Sequence, residues 1–164
     1  MNNKVECLKE EDGYIIPEHY KATKYQAIEI LRDTLDEKQY IGFCSGLIIK
    51  YITRANAKNR LRNYTKAKYY LDELINTLSF KYNVAEDRIK PAYYKNNQIE
   101  TIDMIDDQLG RDNEVLIGFY AGVILKYVFR AMHKHGYEDF IKAKYYLDRA
   151  LEFHVKEYKV KEES

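Results

Sequence analysis

The sequence has no tryptophan, only 2 prolines and only 7 glycines in 164 residues. So few turn residues exclude a fold of many short strands and point to a few long helices. Two cysteines, Cys7 and Cys44, are too few for a disulfide framework. Cys44 lies in an apolar stretch, and a reduced intracellular chain is the simple reading. No charge of one sign dominates, because 27 Lys and Arg stand against 26 Asp and Glu, for a formal net charge of +1. No global field draws such a chain to nucleic acid or to a membrane surface, so any electrostatic function is local. Long hydrophobic runs are missing too. The N-terminal stretch MNNKVECLKEEDG has no apolar segment of the signal-peptide kind. The longest run, Val115 to Leu125, stops at Lys126 and is too short to span a bilayer. Chemical signatures are equally scarce. There is no G-x-x-x-x-G-K-[ST] loop, no G-x-G-x-x-G and no Cys/His zinc spacing. His133-x-His135 alone is a weak metal signal, and neither Ser45 nor Cys44 has an evident activating partner.

What is present is apolar residues enough to fold, at 46%, with charged residues at 32% and 17 tyrosines. Heavy use of Lys, Asn and Ile beside the tyrosines reflects AT-rich coding in part.

The chain also spells one sentence twice. Residues 42–58 read GFCSGLIIKYITRANAK and residues 118–134 read GFYAGVILKYVFRAMHK. At a constant offset of 76, 16 of the 31 positions of 42–72 and 118–148 are identical without a gap. The shared frame is G-F-x-x-G-x-I-x-K-Y-x-x-R-A-x-x-K, followed after seven residues by K-A-K-Y-Y-L-D. Upstream, Pro17-Glu18-His19-Tyr20 corresponds loosely to Pro91-Ala92-Tyr93-Tyr94. This is an internal duplication. Two copies are too few for a solenoid, so the expected fold is all-α, with two tandem three-helix modules packed as a pseudo-twofold helical bundle. The division follows: a segment 1–16, module one over 17–80, a linker 81–90, module two over 91–158 and a tail 159–164.

Each module reads as three helices. In module one, Thr23-x-x-Gln26 has capping-box form and opens a helix to about Leu35. A second helix covers about Tyr40 to Lys58, a basic turn spans Asn59 to Asn63, and a third helix runs from about Tyr64 to Phe80. Its core residues are Ala67, Leu71, Leu74, Ile75 and Leu78. In module two, Asn97-x-x-Glu100 opens a helix ending near Leu109-Gly110. The next covers Asn113 to Lys134, and the last Glu138 to Tyr158.

A step of four residues turns a helix by about 400°, so Lys50, Arg54 and Lys58 share one face. Gly42 and Gly46 precede them, and module two repeats the series as Gly118, Gly122, Lys126, Arg130 and Lys134. Phe43, Leu47, Ile48, Tyr51, Ile52 and Ala55 fall on the core-facing arc. A helix-interior glycine costs about 1 kcal/mol against alanine, so four at matching places suggest close helix packing or close ligand approach. For the basic stripe, a solvated face is the plain explanation. It is weakened because residues 42–72 hold seven cations and one acidic residue, Asp72. Residues 96–114 are acidic, with Glu100, Asp103, Asp106, Asp107, Asp112 and Glu114 against Arg111. Anion binding and pairing with the chain's own acidic helix fit the spacing equally. Arg and Lys suit phosphate, and Tyr51, Tyr69, Tyr127 and Tyr145 offer rings near the stripe. Glu100 and Asp103 are weak candidates for a magnesium ion; a solvated acidic helix accounts for them as well.

His19-Tyr20, E-T-I-D-M-I-D, G-x-x-x-K-Y-x-x-R-A-x-x-K and K-A-K-Y-Y-L-D together resemble the SaV-like phage family. The resemblance covers most of residues 17–152. It implies a short helical domain, often of unknown function, with some members described as nucleotide kinases. The family domain usually occurs once, and each module here lacks a different piece of its pattern. Module one has E-I-L-R-D in place of the acidic helix, and module two has Tyr93-Tyr94 in place of His-Tyr.

The expectation is therefore a phage-encoded, cytoplasmic nucleotide-binding protein that needs no cofactor. It would sequester a nucleotide-derived signal of host antiviral defence without turning it over. Lys50, Arg54, Lys58, Lys126, Arg130 and Lys134 would hold phosphate. His19, Tyr20, Tyr51, Tyr69, Tyr94, Tyr127 and Tyr145 would stack a base or line the pocket. The alternative is a nucleoside monophosphate kinase using magnesium. A helical adaptor for nucleic acid or protein ranks third. No membrane partner is expected, and a homo-oligomer stays open.

Overall fold

The computed structural model describes residues 25–82 and 100–163, the side chains of residues 134, 135 and 155–163 excepted. Among these residues the fold is all-α and comprises two tandem modules. Helices α1 (Ala27–Thr34), α2 (Glu37–Ala55) and α3 (Arg60–Ser79) belong to module one. Helices α4 (Thr101–Leu109), α5 (Asn113–Arg130) and α6 (Tyr137–Glu163) belong to module two, with a π-helical turn, Ala131–His135, between the last two. The chain divides into two compact units, Met1–Tyr40 and Ile41–Ser164.

The first unit contributes α1 and the opening of α2. The amide of Gln26 donates to Glu29 Oε2 at 2.8 Å, so the capping box sits at Gln26 and the helix opens at Ala27. The expected cap, Thr23, lies outside the described residues. Asp36 and Gln39 make a second box at the head of α2, with amide-to-side-chain distances of 3.1 and 2.9 Å. That box starts α2 three residues before the expected Tyr40.

The second unit holds the core, and the core repeats with the sequence. Ile48, Ile52 and Ala55 of α2 are matched by Ile124 and Val128 of α5 and by Ala131. Tyr64, Ala67, Leu71 and Leu74 of α3 are matched by Phe140, Ala143, Leu147 and Ala150 of α6. Every one of these is buried, at the offset of 76. The expected α3 core, Ala67, Leu71, Leu74, Ile75 and Leu78, is buried throughout. Phe43, Leu47 and Tyr51 are only half-buried. Full burial of one such aliphatic side chain contributes about 1.5–3 kcal/mol, so the repeated apolar stripe is what closes the bundle. Helix α6 packs against α3 and α5, and α4 packs against α5.

The interface of α3 with α6 is isologous in its charges. Lys68 Nζ lies 2.7 Å from Asp148 and 3.2 Å from Asp72, while Lys144 Nζ lies 2.9 Å from Asp72 and 3.0 Å from Asp148. Lys68 and Lys144, like Asp72 and Asp148, are equivalent in the two copies. A ring in which each residue meets its partner's counterpart is the mark of a twofold relation.

Four further boundaries differ from the sequence reading. Helix α2 ends at Ala55, so Lys58 lies in the turn and off the helical stripe. Asn59 adopts a left-handed conformation, φ 48° and ψ 52°, and α3 opens directly after it at Arg60. The expected turn over 59–63 is thus mostly helix. In module two, α5 passes into the π-helical turn and then Gly136, whose φ of 48° with ψ of −124° suits glycine alone. Helix α6 continues to Glu163, through most of the expected tail.

Asn113–His133 is long and apolar enough to cross a membrane by length and composition, with mean hydropathy 1.6 over its best window. The sequence reading counted only the uninterrupted run. In the structure α5 buries Leu116, Ile117, Tyr120, Ala121, Ile124 and Val128 in the protein core.

Candidate functional site

The two repeats place the same scaffold under different charges. Lys50 and Lys126 correspond, as do Arg54 and Arg130, and Lys66 and Lys142. Two neighbouring positions do not. Module one has Arg62 and Asn63 where module two has Glu138 and Asp139.

In module two those carboxylates pair with two of the three cations, Arg130 and Lys142. Arg130 Nε donates to Asp139 Oδ2 at 2.8 Å, and Nη2 makes a second bond to Oδ1. Asp139 is fully buried. The pair joins the C-terminal end of α5 to the first turn of α6, where the helix dipoles favour a cation and an anion respectively. Its hydrogen bonds hold the guanidinium pKa above its ordinary value, against the opposing effect of burial. Lys142 is paired with Glu138. The question left open by spacing is answered for Arg130: it meets a carboxylate of its own chain, on α6 and not on the acidic helix. The acidic helix α4 has a different partner, Arg149. Its guanidinium lies 2.7 Å from Asp103 Oδ1 and also bonds Asp106, which accepts from the Tyr120 hydroxyl. Asp103 thus already faces a fixed cation. No cluster of three metal-ligating side chains occurs among the described residues.

In module one no described residue neutralises the set. Lys50, Arg54, Arg62 and Lys66 form no ion pair among the described residues. Asn63, buried at the place of Asp139, turns its amide inward: Nδ2 donates to Lys58 O at 2.6 Å and to Asn59 O at 3.1 Å. A cleft of about 130 Å³ opens there, lined by Arg54, Asn59, Arg62, Asn63 and Lys66. Burial lowers the Lys66 ammonium pKa, and Arg62, Arg54 and Lys50 lower it further. The cleft also lies at the head of α3. Its first turn carries no acidic residue, and Asn59 makes no side-chain cap bond. Cations at a positive helix end oppose the dipole, so folding works against this arrangement twice.

The flanking rings repeat faithfully. Tyr51 stacks on Tyr70 at 5.9 Å and 9°, and Tyr127 stacks on Tyr146 at 5.8 Å and 19°. Tyr69 and Tyr145 meet Tyr70 and Tyr146 edge-on. Lys50 and Lys66 lie over Tyr51 at 5.6 and 5.5 Å, as Lys126 and Arg130 lie over Tyr127 at 4.8 and 5.2 Å. The four tyrosines expected near the ligand are therefore packed on other tyrosines. His19, Tyr20 and Tyr94 lie outside the described residues, as does the side chain of Lys134. His133 is exposed at the π-helical turn.

The four stripe glycines are a correction. A Cβ added at Gly42, Gly46, Gly118 or Gly122 meets nothing within 4 Å. No neighbouring helix presses on them, so close packing among the described residues is not what they serve. A larger cleft of about 250 Å³, between α4 and α5, is lined by Thr101, Met104, Ile105, Gln108, Leu109 and Phe119. It offers no charge, and of the two clefts it is the smaller one that carries the phosphate-type chemistry.

A model of the DUF3310 family, described as a protein of unknown function, matches residues 16–72 and again 89–148. The chain belongs to the DUF3310 family. The two matches follow the duplication seen in the sequence, so the DUF3310 domain occurs here in tandem. No curated protein and no solved structure matches the chain. Within this DUF3310 pair, the sequence reading missed Arg62, Asn63, Lys66 and Asp139. All four are residues of the stretch just after the basic stripe, and the signal was the charge change at 62/138 and 63/139.

Proposed function

We propose that module one binds a phosphate-bearing, nucleotide-like anion and does not transform it. The single observation that carries this reading is the set of three cations, Arg54, Arg62 and Lys66, that line one cleft without a carboxylate among them, with Lys50 close enough to Lys66 to add to their field. An anion relieves their mutual repulsion, and the guanidinium groups match phosphate oxygens in geometry. Binding alone asks for nothing else. Phosphoryl transfer asks for a cation-binding carboxylate, and Asp103 is engaged by Arg149. The resemblance to SaV-like proteins supplies a setting. In a phage, a protein that holds a nucleotide signal without turnover withdraws it from host defence.

The test is direct. The protein is incubated with a nucleotide panel, with and without magnesium and ATP, then denatured, and the small molecules are analysed. Unchanged nucleotide should be recovered. Arg54→Ala should weaken binding at least tenfold, since a charge-assisted hydrogen bond contributes about 1.5–3 kcal/mol, while the melting temperature holds or rises. A phosphorylated product overturns the reading in favour of a kinase.

A further inference from the structure

We infer that each chain holds one such anion site and that residue 63 decides which module has it. The inference rests on the reading above and adds the number of sites and their determinant.

Asp139 marks the place. Its carboxylate pairs side-on with the Nε–Nη2 edge of Arg130, as a phosphate would, and it does so from a fully buried position. In module two that edge of the guanidinium is therefore already occupied by the chain's own carboxylate. In module one the same helix ends bring Arg54 to the same turn. There the equivalent side chain, Asn63, carries no charge and spends its amide donors on Lys58 and Asn59 carbonyls. The ligand anion, seated in the cleft, takes toward Arg54 the role that the Asp139 carboxylate takes toward Arg130. Arg62 and Lys66 line that cleft, whereas their counterparts Glu138 and Lys142 neutralise each other. Three uncompensated cations at the cleft, with Lys50 beside them, suit a polyanion with several negative charges, such as a di- or triphosphate, more than a monoanion.

An Asp at position 63 could not keep the bonds of Asn63, because its oxygens would face two carbonyls. It would turn toward Arg54, and the module would close itself as module two does.

The probe is inorganic triphosphate, titrated calorimetrically into the full chain at low salt and neutral pH. One ion should bind per chain. Asn63→Asp should weaken binding at least tenfold with the helical circular dichroism unchanged. The paired change Glu138→Arg with Asp139→Asn should add a second site. If that variant fails to fold, Asn63→Asp still decides. Two sites in the wild-type chain, or wild-type affinity in Asn63→Asp, overturn this inference and leave the binding reading standing. A single site lost in Arg130→Ala but kept in Arg54→Ala overturns it as well. No binding of triphosphate or of any nucleotide overturns both.

Discussion

Tyr64 and Phe140 occupy equivalent places in the two repeats, yet only Tyr64 brings a hydroxyl into the core. That hydroxyl has no hydrogen-bond partner among the described residues, and its ring stacks on His154 at 5.2 Å. Burial pushes its pKa up to about 12, with Arg60 pulling down and Glu114 pushing up. The sign of the pH effect follows. An exposed phenol in the unfolded chain ionises near 10, whereas the folded chain keeps its proton to about 12. Between those values the folded state binds more protons, so stability falls as pH rises. Tyr64→Phe should raise stability at pH 7 by about 1 kcal/mol, by removing a buried unpaired group. It should also flatten the decline of stability above pH 10. Thermal unfolding of both proteins at pH 7 and across the alkaline range measures this. A melting temperature several degrees lower at pH 7 would show that the hydroxyl has a partner that matters.

Helices α2 and α5 raise a different issue, because each tolerates two glycines at which an added Cβ would meet no described residue. An exposed helix interior prefers alanine to glycine by about 1 kcal/mol. Gly46→Ala should therefore raise the melting temperature by about 2–4 °C, a shift typical of that energy in a chain of this size. A calorimetric scan tests it, and a lower melting temperature would show that the helix face is covered. Triphosphate titration of the same variant separates the two explanations for the glycine. Unchanged affinity leaves α2 simply permissive, and weakened affinity in a more stable protein places the anion against Gly46. The elements themselves were largely legible in the sequence. The duplication, six of the helices and the α3 core followed from the repeat and from apolar spacing. Helix ends did not, because several capping residues compete and local geometry selects one. Gln26 was chosen as the cap of α1, and the left-handed Asn59 cut Lys58 from the stripe. The site was half legible. Identities between the copies drew attention to Lys50 and Arg54, but what separates the copies lies in the positions that differ. Whether Arg62 meets Arg54 or a carboxylate depends on which side chains the α2–α3 turn brings together.

At the scale of the whole second unit, the ring of Lys68, Asp72, Lys144 and Asp148 ties the two modules through equivalent residues. Burial alone would lower the Lys144 pKa, but the carboxylates of Asp72 and Asp148 hold it above the ordinary lysine range. Its contribution is therefore complete below the unfolded lysine pKa, and it is lost as pH rises through the higher folded value. The four side chains are about one-third exposed, so a single contact contributes little, on the order of 1 kcal/mol or less. The closed ring is another matter. Asp72→Asn or Asp148→Asn leaves one carboxylate between two ammonium groups, which still offsets much of their repulsion. Both changes together leave Lys68 and Lys144 facing each other with nothing between. The two single variants should lose similar stability, since the residues are equivalent by duplication. The double variant should lose more than their sum, with a coupling of about 0.5–3 kcal/mol. Denaturant unfolding at low salt measures the cycle. High salt should shrink the coupling, because screening relieves the ammonium pair. Additive losses, or unequal losses in the two single variants, would mean that the modules are held by their apolar stripes alone and that the ring is incidental to the pairing.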